Sequence, residues 1–547
     1  MPAPALSIRA PLLWLLLPFM AGLAAAWIWP APSAGLWPLS LSAVLTALLA
    51  LAGAIRNQPR LWAPAILLSA GLSGCFLLHL RHPQLHDWES RPPREITVVL
   101  EVSHPFPSAP QARSFTGLGT IVDADAYDRA LIGRRIYFSA IRRISVLPVR
   151  SGRYELRGVI EPLPRVTAGN GFTDYLVNLG IRHRVTRAHL VREIAPPGRF
   201  AAFCTAAEKR LETILRRGLD AHPGVQSVYL AMLLGEKAVL NADQQNAFMR
   251  SGTFHIFSIS GLHVGVIAAA LHALAQSVRA PRRPAVFVTV AVLWLYVQVT
   301  GGGAPALRAF LMIAFLLSTR IFRLPGNSLA ALTASALFTL LLDPLQLFST
   351  GFQMSYSVVA TLILMGAPLA ERWQSRWQPF ALRPRPEWRW QHHVISRLGR
   401  KALGAAAGCW AAFLASAASG IGFFGLFSPG SLPANLVIIP LSSLAIIAGF
   451  LALLAGLTGL LPVSALFNAA AGVIIIATDW LLLHGIALPG MFFTARFRTE
   501  WLAPLAMVLM TAVMLAGASG RWARRYGGYW PPVILLALLM IFGVKFG

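Results

Sequence analysis

Leu234-Gly-Glu-Lys237, Gly252-Thr-Phe-His255 and Ser258-Ile-Ser-Gly-Leu-His-Val264 hold the side chains of this sequence best suited to chemistry. Glu236, Lys237, His255, Ser258, Ser260 and His263 are titratable or hydroxylic, and glycines lie among them where a long apolar run begins. Small and hydroxyl residues opening an apolar helix permit a broken helix lining a cavity, or close packing of two helices. His255 and His263 are eight residues apart, about 80° around a helix, so both imidazoles can face one space. Ser260, His263 and Glu236 also supply the atoms of a hydrolytic site. Ser-Ile-Ser-Gly is not a G-x-S-x-G elbow, however, and a serine and histidine three apart on one helix rarely reach nucleophile–base geometry. The expectation is a polar lining with no catalytic residue.

Arg308 is the sharpest charge inside an apolar run, and it follows Gly301-Gly-Gly-Ala-Pro305, which cannot be regular helix throughout. A buried arginine is costly and normally faces a cavity or a partner; the alternative is snorkelling to the nearby interface. Gln353, Ser355 and Asn435 fall in other apolar runs, as pore lining or as hydrogen-bonding glue between helices. The loop 373–401 mixes Trp373, Trp377, Trp388 and Trp390 with many arginines, which fits an aromatic membrane interface as well as nucleotide stacking. His79, His82, His86 and Asp87 have a metal-like spacing, but Pro83 interrupts the helix, and no metal or other cofactor is expected. The sequence has no G-x-x-x-x-G-K-[ST] and no Gly-Lys pair, hence no phosphate-binding loop of that kind, so energy for transport must come from another protein.

These residues need elements to hold them, and composition says which. Of 547 residues, 56% are apolar and only 12% charged, about half the usual charged fraction of soluble domains. That excludes a soluble multidomain enzyme and a disordered chain. Three scattered cysteines offer neither a disulfide framework nor a zinc spacing. Apolar runs long enough to span a bilayer lie near 12–29, 36–55, 61–80, 256–278, 285–303, 304–322, 327–342, 350–371, 402–425, 433–457, 463–484, 501–519 and 530–545. The first resembles a signal sequence, but two further runs follow at once, so it is read as a retained anchor. Threaded with the N-terminus inside, these spans put the basic clusters at 56–60, 279–283, 320–323, 372–401 and 521–525 on one side, as the positive-inside rule requires. Arg496 and Arg498 fall on the other side, and 327–342 and 530–545 are short.

The polar stretch 81–220 holds 22 Lys+Arg and 14 Asp+Glu. Within it, β-rich runs at 95–103, 115–123, 134–141, 153–161 and 182–192 are separated by Gly, Pro and Asp clusters. Five short strands suit a small closed barrel of the OB type or an SH3-like one. Its outward positions carry Arg134, Arg135, Arg142, Arg143, Arg153 and Arg157, either a nucleic-acid surface or an ordinary solvated face. Next, Phe200, Phe203, Ala207, Leu211, Ile214 and Leu215 form one helical stripe, expected to lie on the membrane or else to pack on the barrel. Residues 225–255 read as two half-helices broken at Gly235, with Asn241 as N-cap of the second. The fold class is thus an α-helical polytopic membrane protein with an inserted small all-β barrel. Its parts are a three-helix membrane segment (1–87), the barrel (88–198), amphipathic and interfacial helices (199–255) and a multi-helix channel domain (256–547).

Several stretches together resemble the ComEC family of bacterial competence proteins. They are Asn170-Gly-Phe-Thr-Asp-Tyr followed by Gly180-Ile, Leu234-Gly-Glu-Lys, Ile-Ser-Gly-Leu-His-Val at 259–264, Asp343-Pro with Gly351-Phe-Gln-Met-Ser, and Asn435-Leu with Ile-Pro440. Asn170 lacks the proline that follows it in the family pattern. The resemblance implies a multi-pass channel of the bacterial inner membrane that passes single-stranded DNA during natural transformation, with the barrel on the periplasmic or extracellular face. The alternatives are an integral-membrane hydrolase or a transporter of another anionic polymer or lipid. Implied partners are single-stranded DNA, membrane lipid, a periplasmic DNA receptor, and a cytoplasmic ATPase or single-strand-binding proteins. The H-x-H-x-D-H signature of the metallo-β-lactamase-like domain found in many members is absent from this sequence, so strand degradation is expected from a separate nuclease.

Overall fold

A computed structural model describes residues 10–29, 36–82, 85, 88–89, 91–106, 114–141, 148–164, 171–235, 240, 242–257, 259, 261–322, 326–499, 501–517 and 529–546. Three helices open the chain: α1 (Leu13–Ile28), α2 (Leu36–Ile55) and α3 (Pro59–Arg81). α3 packs on both others, and glycines set how closely it approaches α1. A Cβ on Gly22 would collide with the carbonyl of Gly71, and one on Gly74 with the carbonyl of Phe19. With no hydrophobic force between helices in lipid, such backbone contact is what holds them together.

Five strands follow: β1 (Arg94–Phe106), β2 (Ser114–Ala124), β3 (Arg135–Ile141), β4 (Arg153–Pro162) and β5 (His183–Ala195). They close into a barrel in the order β1-β2-β3-β5-β4, with β3 and β5 parallel and the other pairs antiparallel. The alternation read from the sequence is the pleat: Ile96, Val98, Leu100 and Val102 of β1 are buried, and meet Phe138, Leu156 and Val185 in one apolar interior. A short helix, α4 (Phe172–Asn178), closes one side between β4 and β5.

α5 (Arg199–Arg216) packs on the helical bundle, with Ile214 and Leu215 of the expected stripe buried and Phe200 and Phe203 left exposed. Phe200 stacks on Trp294 at 5.3 Å, and Ile214 fills the space left by the missing side chain of Gly456. α6 (Pro223–Leu234) is buried along most of its length and ends at Gly235, whose φ of +78° only glycine adopts freely. α7 (Ala242–Arg250) is the second half-helix; the proposed cap Asn241 lies outside the described residues.

The remaining helices are α8 (Gly261–Ser277), α9 (Arg282–Val299), α10 (Ala304–Ile321), α11 (Ser328–Leu342), α12 (Thr350–Arg376), α13 (Trp390–Phe424), α14 (Ser431–Leu457), α15 (Leu461–Ile486), α16 (Leu502–Gly517) and α17 (Trp530–Gly543). Among the described residues, α2, α3, α9, α12, α13, α14 and α15 are long and apolar enough to cross a membrane, and α1, α6, α8, α10, α11, α16 and α17 are shorter apolar helices. The chain is a multi-pass membrane protein. One feature went unread: Leu426–Phe427, Phe493–Phe497 and Val544–Phe546 form a three-stranded antiparallel sheet (β6, β7, β8). The run read as a span at 530–545 therefore ends in a strand, and Arg496 lies on β7 with Arg498 just beyond it.

Two sets of loop contacts lie toward opposite ends of α12. Gly301, Leu345 and the barrel meet at one end, through Arg150 and Gly180. At the other, Gln374 donates to the carbonyl of Arg400 at 3.0 Å and Arg372 lies 5.4 Å over the Tyr529 ring.

Candidate DNA path

The break between α6 and α8 is built from small polar residues packed against the start of α14. Gly252 has φ +70°, and a Cβ there would stand 2.8 Å from the Ser431 side chain. Ser251 and Thr253, both buried, share a 2.7 Å hydrogen bond between their hydroxyls. A short 3-10 turn, Phe254–Phe257, then leads toward α8. His255 is exposed while His263 is 0% exposed, and the two imidazoles lie near enough to interact electrostatically. His255 lies on the 3-10 turn and His263 on α8, so the eight-residue spacing does not run along one helix. Glu236, Lys237, Ser258 and Ser260 lie outside the described residues.

α8 packs on α9, α10 and α14. α14 turns one polar stripe inward: Ser431, Asn435 and Ser442, with Ile438 and Ala445 between and below. Asn435 Oδ1 and Ser442 Oγ are buried with no hydrogen-bond partner among the described residues. An orphaned buried polar atom costs about 1–3 kcal/mol, so this stripe is not interhelical glue in the observed conformation. Ser442 was missed because a lone serine in an apolar helix carries no sequence signal; only its register with Asn435 marks it.

Arg308 is 2% exposed. The Gly301–Gly303 turn breaks the chain before α10, so Arg308 falls in its second turn. The guanidinium lies on the first turn of α12, where a Cβ on Gly351 would be 3.1 Å from Nη2. Burial by protein removes the snorkelling alternative. Its Nε has no partner, and no carboxylate pairs with it among the described residues. The position of Gly351 is fixed locally: Asp343 accepts from Leu345 N at 3.2 Å, and Ser349 Oγ from Phe352 N at 3.2 Å, capping successive turns. Nearby, Tyr356 shares hydrogen bonds with Ser335 (2.7 Å) and Thr339 (3.2 Å). Gln353 donates to the Leu347 carbonyl at 3.0 Å, which makes it a turn brace here, and Ser355 is half-buried.

Of the predicted lining residues, His263, Arg308, Gln353, Ser355 and Asn435 lie on helices packed in series, α14 with α8, α8 with α10, and α10 with α12. They do not surround one open space. Both His263 and Arg308 are sealed from solvent, so the expected wet passage is closed at each of them.

The barrel arginines divide into those paired with glutamate and, among the described residues, an unpaired Arg135. Arg153 pairs with Glu101 at 2.9 Å and Arg157 with Glu95 at 2.8 Å. On the adjoining strands Arg192 pairs with Glu155 (2.6 Å) and Arg184 with Glu161 (2.8 Å). The β1–β4–β5 face therefore carries four Arg–Glu pairs: register sets Glu101 opposite Arg153, Glu155 opposite Arg192 and Glu161 opposite Arg184, while Glu95 reaches Arg157 diagonally. Arg134 donates to the Ala130 carbonyl at 3.1 Å, Arg135 is exposed, and Arg142 and Arg143 lie outside the described residues. The histidine cluster also divides: His79 is buried, His82 faces Asp343 at 4.0 Å, and His86 and Asp87 are outside the described residues.

The family model described as "Competence protein" matches residues 232–524, from the end of α6 to beyond α16. That range holds every residue of the α8–α10–α12–α14 group and excludes the barrel. ComE operon protein 3 of Bacillus subtilis (strain 168) is 28% identical over 212 residues, which are 38% of this chain and 27% of that protein. Recombination protein 2 of Haemophilus influenzae is 29% identical over 148 residues, 26% of this chain and 19% of the relative. Competence protein ComA of Neisseria gonorrhoeae is 34% identical over 159 residues, 27% and 23% of the two chains. The matches span about a quarter of these curated relatives or less. No solved structure matches the chain.

Proposed function

The chain belongs to the competence protein family, and from that premise we propose that it is a gated conduit for single-stranded DNA. It would work in the bacterial inner membrane during natural transformation, with the barrel facing outward, and without catalysis of its own. The observation that carries the reading is Arg308, a guanidinium 2% exposed among apolar helices with its Nε unpaired. An uncompensated buried cation is retained at a cost, and a passing phosphate is the counter-charge such a site lacks. DNA cannot cross lipid without that compensation, since a bare phosphate would lose its hydration. The observed conformation is the shut one, so transport requires α8 and α14 to part and hydrate Asn435 and Ser442. The name of the N. gonorrhoeae relative, a competence protein, supports the same reading. Energy would come from a cytoplasmic ATPase or strand-binding proteins, DNA from a periplasmic receptor, and strand degradation from a separate nuclease.

The test is entry of fluorescent DNA into the cytoplasm of cells carrying Arg308→Met or Arg308→Lys. A charge-assisted hydrogen bond is worth about 1.5–3 kcal/mol, so Met should slow entry roughly 10- to 100-fold at ~1.4 kcal/mol per decade. Lys should retain part of the rate. Wild-type entry in the Met variant would remove Arg308 from the path.

A further inference from the structure

We infer that the barrel receives DNA on an aromatic platform facing the helical bundle, built from Phe106, Tyr137, Phe172 and Tyr175 and flanked by Arg135 and Arg150, and that the occupant is the unpaired bases of single-stranded DNA. This rests on the conduit reading above and names the surface that serves it.

The rings form a contiguous group. Tyr137 and Phe172 meet edge to face at 5.2 Å, Phe106 and Phe172 at 6.1 Å, and Phe172 stacks with Tyr175 at 5.9 Å, 25° from parallel. The inner rings rest on Leu118, Leu163, Leu176 and Ile181 and are fixed by them. The outer ones are bare: Phe172 is 52% and Tyr175 41% exposed. Contiguous exposed rings on a small barrel mark an interaction surface. Charge says which. The β1–β4–β5 face carries the four Arg–Glu pairs, whereas Arg135 is exposed two residues before Tyr137 on the same strand face, and among the described residues no carboxylate pairs with it. Arg135 lies near enough to Tyr175 and His82 to interact electrostatically. Arg150 reaches the carbonyl of Gly301, in the turn that leads directly into α10 and Arg308. On the same side, Gly180 sits against Leu345. A strand stacked here would have its backbone beside Arg135 and Arg150 and its free end at the bundle. Flat rings with flanking cations suit splayed bases, not duplex DNA, whose bases are already stacked.

The experiment uses the full chain in nanodiscs and an oligonucleotide carrying 2-aminopurine. Stacking on the platform should quench the probe. Phe172→Ala with Tyr175→Ala should weaken binding by about fivefold or more for each ring and abolish the quench, while Phe172→Trp should keep both. Arg157→Ala, on the β1–β4–β5 face, should leave the quench unchanged. Wild-type affinity and quench in the double-alanine variant would overturn the platform and leave the conduit standing; failure of the wild-type chain to bind or pass any oligonucleotide would overturn the conduit itself. If the rings are instead a membrane anchor, a cysteine introduced by Phe172→Cys will be shielded from water-soluble maleimide by the bilayer without DNA. The platform predicts shielding only when DNA is bound.

Discussion

Arg150 on the barrel donates from Nη1 to the carbonyl oxygen of Gly301 at 3.3 Å, in the turn between α9 and α10. This bond ties the barrel to the turn that leads into the helix carrying Arg308. The neighbouring Gly302 makes it possible, since a Cβ there would lie 2.6 Å from the same nitrogen. Arg150 is near the start of β4, and Gly301 and Gly302 both have positive φ, +88° and +64°.

Gly302→Ala should therefore loosen the barrel. It imposes a left-handed backbone on a residue with a side chain, costing about 1 kcal/mol, and it displaces the arginine. Amide hydrogen exchange should rise around residues 148–153 and 300–303. Gly265→Ala, where a Cβ meets nothing within 4 Å, should change little. Unchanged exchange in Gly302→Ala would mean that this bond does not dock the barrel.

A pH dependence belongs to His183, which is 1% exposed inside the barrel with Nε2 2.8 Å from Glu89 Oε2. Burial holds its pKa below the ordinary imidazole value of 6.5, against the opposing pull of Glu89 and with Arg134 and Arg94 adding to the depression. The unfolded chain then takes up this proton first. Stability is full above about pH 6.5 and is lost as pH falls through the depressed folded-state value. Protection factors of β5 amides, corrected for the slower intrinsic exchange in acid, should fall on acidification from pH 7 toward 5, and His183→Gln should flatten that response. An equally steep response in the Gln variant would assign the acid sensitivity to other groups.

What the sequence made legible follows from the range of the forces involved. Period-2 alternation located all five barrel strands to within a few residues, because a side chain's face is decided locally. Apolar length located the helices, and Gly235 marked the break after α6. Pairings between distant segments were invisible. β6, β7 and β8 are short strands joining residues as far apart as Leu426 and Val544 through Phe493–Phe497. The pairing of Arg153 with Glu101 and of Arg157 with Glu95 depends on register, which no local pattern reveals. Whether Asn435 lines an open path or a closed seam depends on conformation, and no residue type encodes that.

The α1–α3 crossing should be intolerant of bulk at Gly22. Its missing Cβ is replaced by the Gly71 carbonyl, as that of Gly74 is by the Phe19 carbonyl. Gly22→Leu must push the helices apart, and overpacking of this kind costs about 1–3 kcal/mol. The thermal midpoint of the purified protein should fall, and a cysteine pair placed across the crossing should cross-link less efficiently. An unaltered midpoint would show that backbone contact is not what joins these helices.

The orphaned atoms of α14 separate a path from a packing seam. If Asn435 and Ser442 were glue between helices, removing them would break hydrogen bonds and lower stability. In the closed state Asn435 Oδ1 and Ser442 Oγ have no partners among the described residues, so removal should instead relieve about 1–3 kcal/mol at each site. Asn435→Leu and Ser442→Ala should raise the thermal midpoint, with the gain from Leu limited by its different shape. The same changes deprive an opened seam of groups that hold water, which should lower the entry of labelled DNA. A stabilised protein with reduced entry is the signature of a group that serves the open state at the expense of the closed one. Raised stability with undiminished entry would take α14 out of the path, and lowered stability would return both residues to a structural role.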